Sequence, residues 1–593
     1  MILYHAVSSF QLIETVLLKK RFHPDEKGVL IISSDVVNRL KNYMDFLYFF
    51  DDIVEYSNGD GNRMIAAGSD VSVYFDRVLK DKGYNITDFE KIYLACAHHS
   101  FGVYVAQKNI PYIFVEDGVG ALSRPEVLHT VEKERVVKDQ LSMEYGLYDG
   151  SSPNAVSCIY NKYHQVEGFV HDKRYIHFDV YEQLSALSEK DRSYLLKIFT
   201  KLSSIPCDKH SVLLLTEHFA NLQIFSWDEQ ILLYQLLVDY FFSDYSLVFK
   251  PHPDDLMYYE ELFPGSYIIK DRFPAEILPF LFENKPEVVA TVSSTAIYTL
   301  KSCFDKTMAF NYDFSHYKRQ FKDLHRIYTA LKIAEKASGE VVYTYAMNKI
   351  IADNLISAGR IKIKQAQALD SLDDFISAGD GGALIIDNCN YYSEDNESTI
   401  CDFLDRLPDN KLVIFTNSAA DYCFYNFDRK ALLRYFSLVK VSRKFLRDDC
   451  LDTPDDEYVF CFSMSKMNIP KIQLELSYTG ETISVQEVSG LEASVQMIIC
   501  LMNGINSRLA ECLALNEEYR SQLTADEEKR IPVFNPDYDS LSSGYSELNA
   551  LEGTQEQNFR IVKGMLMASE KRYLYFLEEN KYLKKLIEKK AGN

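Results

Sequence analysis

The feature that most restricts the fold of this chain is an alternation, met twice, of short apolar runs with longer stretches of helical periodicity. The first round places strand candidates at "ILYH" (2–5), "GVLIIS" (28–33), "DIVEY" (52–56), "KIYLACA" (91–97) and "PYIFVEDG" (111–118). Amphipathic stretches such as 8–20 and 69–81 lie between them. Near-continuous apolar strands are buried on both faces, and a helix between them gives the crossover that parallel neighbours need. The pattern predicts an α/β fold with helices on both faces of a parallel sheet. A less regular section occupies about 120–205. The alternation then restarts with "SVLLLTEHF" (211–219), a helix at 227–241, "YSLVFKPHP" (245–253), "SYIIKD" (266–271), "EVVATVSST" (287–295) and "KTMAFNY" (306–312). Two Rossmann-like domains facing a cleft are expected, and a cleft is a common place for a ligand.

At 593 residues the chain exceeds what one core can fill and should divide into domains of about 100–200 residues. The pattern places an N-terminal Rossmann-like domain at 1–170, a second at 205–335, an accessory α/β domain at 340–512 and a helical tail at 513–593. The accessory domain carries "GALIIDNCN" (382–390), "KLVIFTN" (411–417), "EYVFCFSM" (457–464) and "KIQLELSYTGETISV" (471–485), the last a hairpin about Thr479-Gly480. A helix comes next at about 490–512. In the first of these segments Asp387 and Asn388 end a strand with no glycine-rich loop after them, which reads as structural. The final helix, 571–590, carries seven Lys/Arg against three Glu, with Leu574, Leu577, Leu583, Leu586 and Ile587 near one face. Such a helix suits peripheral contact with an anionic membrane. The plainer and preferred reading is a packing or homo-oligomer helix with a solvated basic face.

A formal charge of −22, from 64 basic and 86 acidic residues, gives no support for a nucleic-acid partner. The eleven cysteines include no C-x-x-C pair, and several sit in apolar stretches. They read as buried free thiols of a reducing cytoplasm rather than a disulfide frame or a zinc site. The N-terminus lacks a basic region before its apolar residues, and no apolar run approaches the ~18 residues that span a bilayer. The expectation is a soluble cytoplasmic protein, at most peripheral on the inner face of the plasma membrane.

Three short polar stretches come directly after strands. Glu116-Asp117-Gly118 succeeds "YIFV", Lys250-Pro251-His252-Pro253 succeeds "SLVF", and Ser293-Ser294-Thr295 succeeds "VVATV". Proline has no N–H for the ladder, so the pair at 251 and 253 ends a strand and stiffens the loop that holds Lys250 and His252. In open α/β sheets ligands bind at that end. Singly, each stretch has a plain reading: a turn, a strand terminator, a helix cap. Together they offer a carboxylate base, cationic donors and hydroxyls at a helix start, which suits an anion. Asp254 and Asp255 read as solvated turn residues. His98-His99-Ser100 and Thr216-Glu217-His218 either line the cleft or serve as helix caps.

In order and spacing, E-D-G, then K-P-H-P, then S-S-T resembles the bacterial sialyltransferases of the two-Rossmann (GT-B) type, over about residues 1–330. Capsule Kdo transferases are close rivals. The resemblance implies an inverting transfer of sialic acid from a CMP-linked donor to a hydroxyl of a glycan or lipid-linked glycan, with no cofactor and no metal. Glu116, or Asp117 beside it, would be the general base, and His252 would stabilise departing CMP. Lys250, Pro253, Glu276, Ser293, Ser294 and Thr295 would hold the donor, Glu276 at its ribose. His98, His99 and Ser100 would face the acceptor. The resemblance does not reach the region beyond 340, which is expected either to position a polymeric or lipid-linked acceptor or to hold subunits together. A non-catalytic scaffold and a metal hydrolase are the readings from other classes.

Overall fold

Ile2–Ala6 (β1) runs through the middle of the first sheet because both of its faces are apolar, and all five residues are buried. The computed structural model describes residues 1–116, 136–160, 174–310, 317–338, 341–345, 347, 349–378, 382–387, 402–404, 406–416, 436–444, 456–463, 471–480, 482–488, 490–536 and 557–591. Contacts group the chain into two compact units, Met1–Ile224 with Asp244–Asn311, and Phe225–Ser243 with Tyr312–Asn593.

The first unit holds two parallel sheets. One comprises β1, β2 (Gly28–Ser33), β3 (Asp52–Tyr56), β4 (Lys91–Ala95), β5 (Tyr112–Val115), β6 (Ala155–Tyr160) and β7 (Tyr175–His177) in the order β3-β2-β1-β4-β5-β6-β7. Every neighbouring pair is parallel. The stretch after β1 read as amphipathic is the helix Ser9–Phe22, started by a capping box between Ser8 and Gln11, and it is a correction in one respect: Gln11 to Lys19 are all buried, so the helix is enclosed all round rather than one-sided. The section read as irregular contributes β6 and β7, a correction to the sequence reading. β7 is three residues long, and β6 joins with a register shift at Tyr112/Ile113, so neither leaves a clean periodic signal.

The second sheet comprises β8 (Ser211–Leu215), β9 (Ser246–Lys250), β10 (Tyr267–Ile268), β11 (Val288–Thr291) and β12 (Lys306–Ala309), ordered β10-β9-β8-β11-β12 and parallel throughout. Counted from its own first strand it repeats the order that opens the first sheet, third-second-first-fourth-fifth. Strand order reverses between β1 and β4, and again between β8 and β11. Each reversal opens a crevice at the carboxyl ends of the strands, where doubly wound sheets bind ligands. The two sheets share a core: Leu30, Tyr93 and Val115 of the first, Leu213, Val248 and Val289 of the second, and Leu184, Leu195 and Ile198 from intervening helices form one buried cluster.

The second unit takes its first residues from between β8 and β9. Helix Trp227–Leu237, with a capping box between Ser226 and Glu229, runs into a π-helical turn, Val238–Phe242. The unit's sheet joins β13 (Val341–Tyr345), β14 (Gln365–Ala368), β15 (Ala383–Ile386), β16 (Leu412–Phe415), β17 (Phe436–Lys444), β18 (Asp456–Ser463), β19 (Ile472–Glu475) and β20 (Thr482–Val488) in the order β14-β13-β15-β16-β18-β17-β20-β19. It is parallel as far as β16 and antiparallel beyond.

The expected hairpin is present, with Gly480 supplying the left-handed φ of +71°. The Asp239 carboxylate of the π-turn is buried and accepts the backbone N–H groups of Tyr478 and Thr479 and the Thr479 hydroxyl at 2.8–3.1 Å, fastening that hairpin. Asp387 is buried and accepts from Arg326 Nε at 2.9 Å and from the Thr416 hydroxyl, a structural role as read; Asn388 lies outside the described residues.

Two long helices close the chain, Gly490–Ser521 and Gln557–Ala591. They pack on each other, with Leu583 of the expected apolar stripe fully buried and Glu579 accepting from Asn516 and Arg520. Among the described residues no helix is long and apolar enough to cross a membrane.

Candidate active site at the carboxyl ends of the two sheets

β9 ends at Lys250, and Pro251 and Pro253 stop it there, as their missing N–H groups require. The loop turns back at once: the Asp255 N–H donates to the His252 carbonyl at 2.9 Å and the Asp254 N–H to His252 Nδ1 at 3.1 Å. That second bond fixes the ring. Nδ1 accepts, so the neutral imidazole carries its proton on Nε2 and donates from there.

The His252 ring stacks on His218 with centroids 3.9 Å apart and planes 13° from parallel. Desolvation first, then the neighbouring His218, push the His252 pKa down to about 4, with Lys250 and Arg39 adding to the effect and Asp254 opposing it. His252 is thus an uncharged donor at neutral pH. Arg39 ends the helix after β2, so the carboxyl edge of the first sheet lies within electrostatic reach of the second.

Thr216-Glu217-His218 follow β8 directly, and the His218 ring lies against that of His252. Asp255 is a correction to the sequence reading. Its Oδ2 accepts from Thr216 Oγ1 and from the Tyr259 hydroxyl, each at 2.7 Å, and its Oδ1 accepts from the Met257 N–H, so it ties the histidine loop to β8. Desolvation raises the Glu217 pKa to about 7, the Asp255 charge adds to that, and a hydrogen bond from Ser294 works against it. Sequence reasoning left Glu217 undecided. Its signal was position, because it succeeds the strand at which the second sheet reverses its order.

The Ser294 N–H donates to Thr291 Oγ1 at 3.0 Å, while Thr291 Oγ1 donates to the Leu215 carbonyl at 2.9 Å. This locks the serine loop across β11 and β8. The helix after it, Ala296–Leu300, is one short turn, and Thr295 makes no side-chain cap. Ser293, Ser294 and Thr295 therefore offer hydroxyls on a loop rather than a capped helix start.

Lys250 is buried with Nζ 4.9 Å from the centroid of the Phe273 ring, and desolvation lowers its pKa to about 8 against the nearby carboxylates of Glu276 and Asp271. Glu276 stands on the 3-10 turn Ala275–Phe280 and accepts from Thr299 Oγ1 at 3.3 Å. Lys250 and Glu276 therefore share one neighbourhood.

On the first sheet, Glu116 is the residue after β5. It is buried, and its N–H donates to the Ile159 carbonyl at 3.0 Å. Asp117 lies outside the described residues. His98 and His99 form the turn after β4, where the His98 ring stacks on Tyr148 at 5.3 Å and meets the His99 ring edge-on at 4.8 Å and 73°. Ser100 is fully buried, and its hydroxyl donates to Asn58 Oδ1 at 2.8 Å, which docks helix Ser100–Gln107 on helix Asn58–Ala66. His99, not Ser100, occupies the N-cap position.

Among the described residues, two sets of side chains bring metal-ligating atoms within 4.8 Å of one another: Glu217, His218 and His252, and Cys96, His98 and His99. In the first set the near-parallel rings aim their in-plane lone pairs side by side instead of at one point, and His252 Nδ1 is already engaged. Its geometry favours hydrogen bonding.

Residues 64–310 match the model of glycosyltransferase family 52, which marks this part of the chain as a glycosyltransferase region. No curated protein sequence matches the chain. Three solved structures are similar to the chain at low identity. An α/β-galactoside α-2,3-sialyltransferase from Photobacterium phosphoreum is 11% identical over 62% of this chain and 97% of its own, with a TM-score of 0.35. The UDP-GlcNAc 2-epimerase of Methanocaldococcus jannaschii is 11% identical over 52% and 83%, with a TM-score of 0.33. That of Neisseria meningitidis is 12% identical over 55% and 86%, also at 0.33.

Proposed function

We propose that the glycosyltransferase region moves sialic acid from CMP-sialic acid to a hydroxyl of a bacterial surface glycan, of capsule or lipooligosaccharide type, with inversion. The observation that carries the reading is the state of His252. It is a neutral imidazole at the carboxyl edge of a parallel sheet, stacked on the His218 that follows β8 beside the order reversal, with Nδ1 engaged and Nε2–H left as its donor.

In the step proposed, the acceptor hydroxyl oxygen forms a bond to the anomeric carbon while the bond from that carbon to the CMP phosphate oxygen breaks. The hydroxyl proton passes to the Glu116 carboxylate. The electron pair of the broken bond leaves on the phosphate, where the Nε2–H of His252 and the hydroxyls of Ser293 and Ser294 stabilise the new charge. A phosphate is a good leaving group, so such donors serve in place of a metal ion. Lys250 and the Pro253 turn hold the nucleotide, Glu276 the ribose, and the edge bearing His98 and His99 faces the acceptor. A lipid-linked acceptor accords with the exposed Lys571, Arg572, Lys584 and Lys585 on the last helix.

Acceptor-stimulated CMP release, compared among CMP-sialic acid, CMP-Kdo, UDP-sugars and CDP-glycerol, tests this reading. Turnover of CMP-sialic acid alone is expected. Preference for CMP-Kdo would keep the site and change the sugar, and silence with every donor from a folded protein would sink the reading.

A further inference from the structure

The turn after β4 is built with unusual firmness. Cys96 sits in the left-handed region, φ +46°, uncommon for a residue with a Cβ and a mark of backbone held for a purpose. The His99 N–H closes the turn onto the Cys96 carbonyl at 2.9 Å. His5, buried and with its pKa pushed down to about 4 by desolvation, donates from Nδ1 to the Ala95 carbonyl at 2.7 Å. Gly102 lets the next helix press against the turn, since a Cβ there would lie 1.8 Å from the Ala97 carbonyl oxygen. Residues 96, 98 and 99 are thereby presented together, with Cys96 and His98 buried and His99 half-buried.

We propose that Cys96, His98 and His99 form a three-ligand site for a thiophilic divalent cation of the zinc class at the carboxyl edge of the first sheet. One thiolate and two imidazoles are a donor set that favours zinc and its congeners over hard cations. All three donor atoms lie within 4.8 Å of one another. Tetrahedral bonds of about 2.0–2.3 Å need donors roughly 3.5 Å apart, a spacing that side-chain rotation supplies. The two imidazole planes cross at 73°, so their in-plane lone pairs can converge, unlike those of His218 and His252.

A supporting layer is also present. Gln11 Nε2 donates to Cys96 Sγ at 3.0 Å, a bond that stabilises a thiolate, and Gln11 is itself held because its Oε1 accepts the N–H groups of Val7 and Ser8 at 2.7 and 3.1 Å. Three protein ligands leave a fourth position for water. The proposal does not rest on the transfer reaction; His98 and His99 would face an acceptor as ligands of the cation.

The test is Co²⁺ titration of the full-length, metal-stripped protein, read by thiolate-to-cobalt charge-transfer absorption. One equivalent should bind with that absorption, and Zn²⁺ should displace it. Cys96→Ser should abolish the band, and His99→Gln should weaken binding. Gln11→Glu keeps the capping box with Ser8 but loses the donor to sulfur, and should weaken binding about 10–100-fold. Should Cys96→Ser fail to fold, the two milder variants decide. The cluster at His252 has no sulfur and cannot produce the band. A folded wild type with no charge-transfer absorption, or a band unchanged in the variants, would overturn the site.

Discussion

The carboxyl edges of the two parallel sheets are built on the same strand order, yet they put their histidines to different uses. On the second sheet, His218 and His252 lie flat against each other beside Glu217, and the loop spends its backbone on fixing a tautomer. On the first, His98 and His99 cross nearly at right angles beside a cysteine, on a turn held by His5, Gln11 and Gly102. The lesson is that topology chooses where polar groups collect, while loop geometry decides whether they donate hydrogen bonds or converge on an ion.

Substitutions can break or sharpen this contrast. The largest effect expected is from Glu116→Gln, which removes the proposed base of the first edge. Acceptor-dependent CMP release should fall about 10²–10⁴-fold while CMP still binds, measured by kinetics and calorimetry. Near-normal turnover would remove the first edge from the chemistry. His252→Ala should come second, slowing CMP release about 10²–10³-fold by deleting a donor to the leaving group. If the same variant also abolished Co²⁺ charge transfer, the two edges would not be separate sites.

Gly102→Ala should cost about 1–3 kcal/mol or more by forcing a methyl against the Ala97 carbonyl, read as a lower denaturation midpoint. It should loosen the first edge and leave the second intact. The last effect, confined to a pH window, concerns Glu217. Its carboxyl holds a proton up to about 7 in the folded chain, against an ordinary value of 4.5. Between those values the folded state binds more protons, so this residue's contribution to stability falls as pH rises. Glu217→Gln should therefore gain stability over wild type progressively across that window, and a gap that stays constant with pH would refute the shift.

Much of the frame was legible because strands buried on both faces are written as apolar runs: β2 and β3 lie at 28–33 and 52–56, as read. β7, at three residues, carries too little pattern to be heard. The proline loop around His252 was legible because proline announces a strand end, whereas the part played by Asp255 depends on Thr216 and Tyr259, which only the fold brings to it. Cys96 escaped notice for a related reason. Its backbone is left-handed without being glycine, and its partner Gln11 is 85 residues away in sequence.

The Asp239 pin has a consequence for the order in which the chain is made. Its partner Thr479 lies 240 residues downstream. At about 5–20 residues per second, a ribosome delivers that partner roughly 12–48 s after the aspartate emerges. For that interval the nascent helix Trp227–Leu237 and its π-turn exist without the hairpin that fastens them, a long wait for a segment whose Leu232, Leu233, Tyr240 and Phe241 are all destined for burial. Chaperone occupancy during translation should peak over that window.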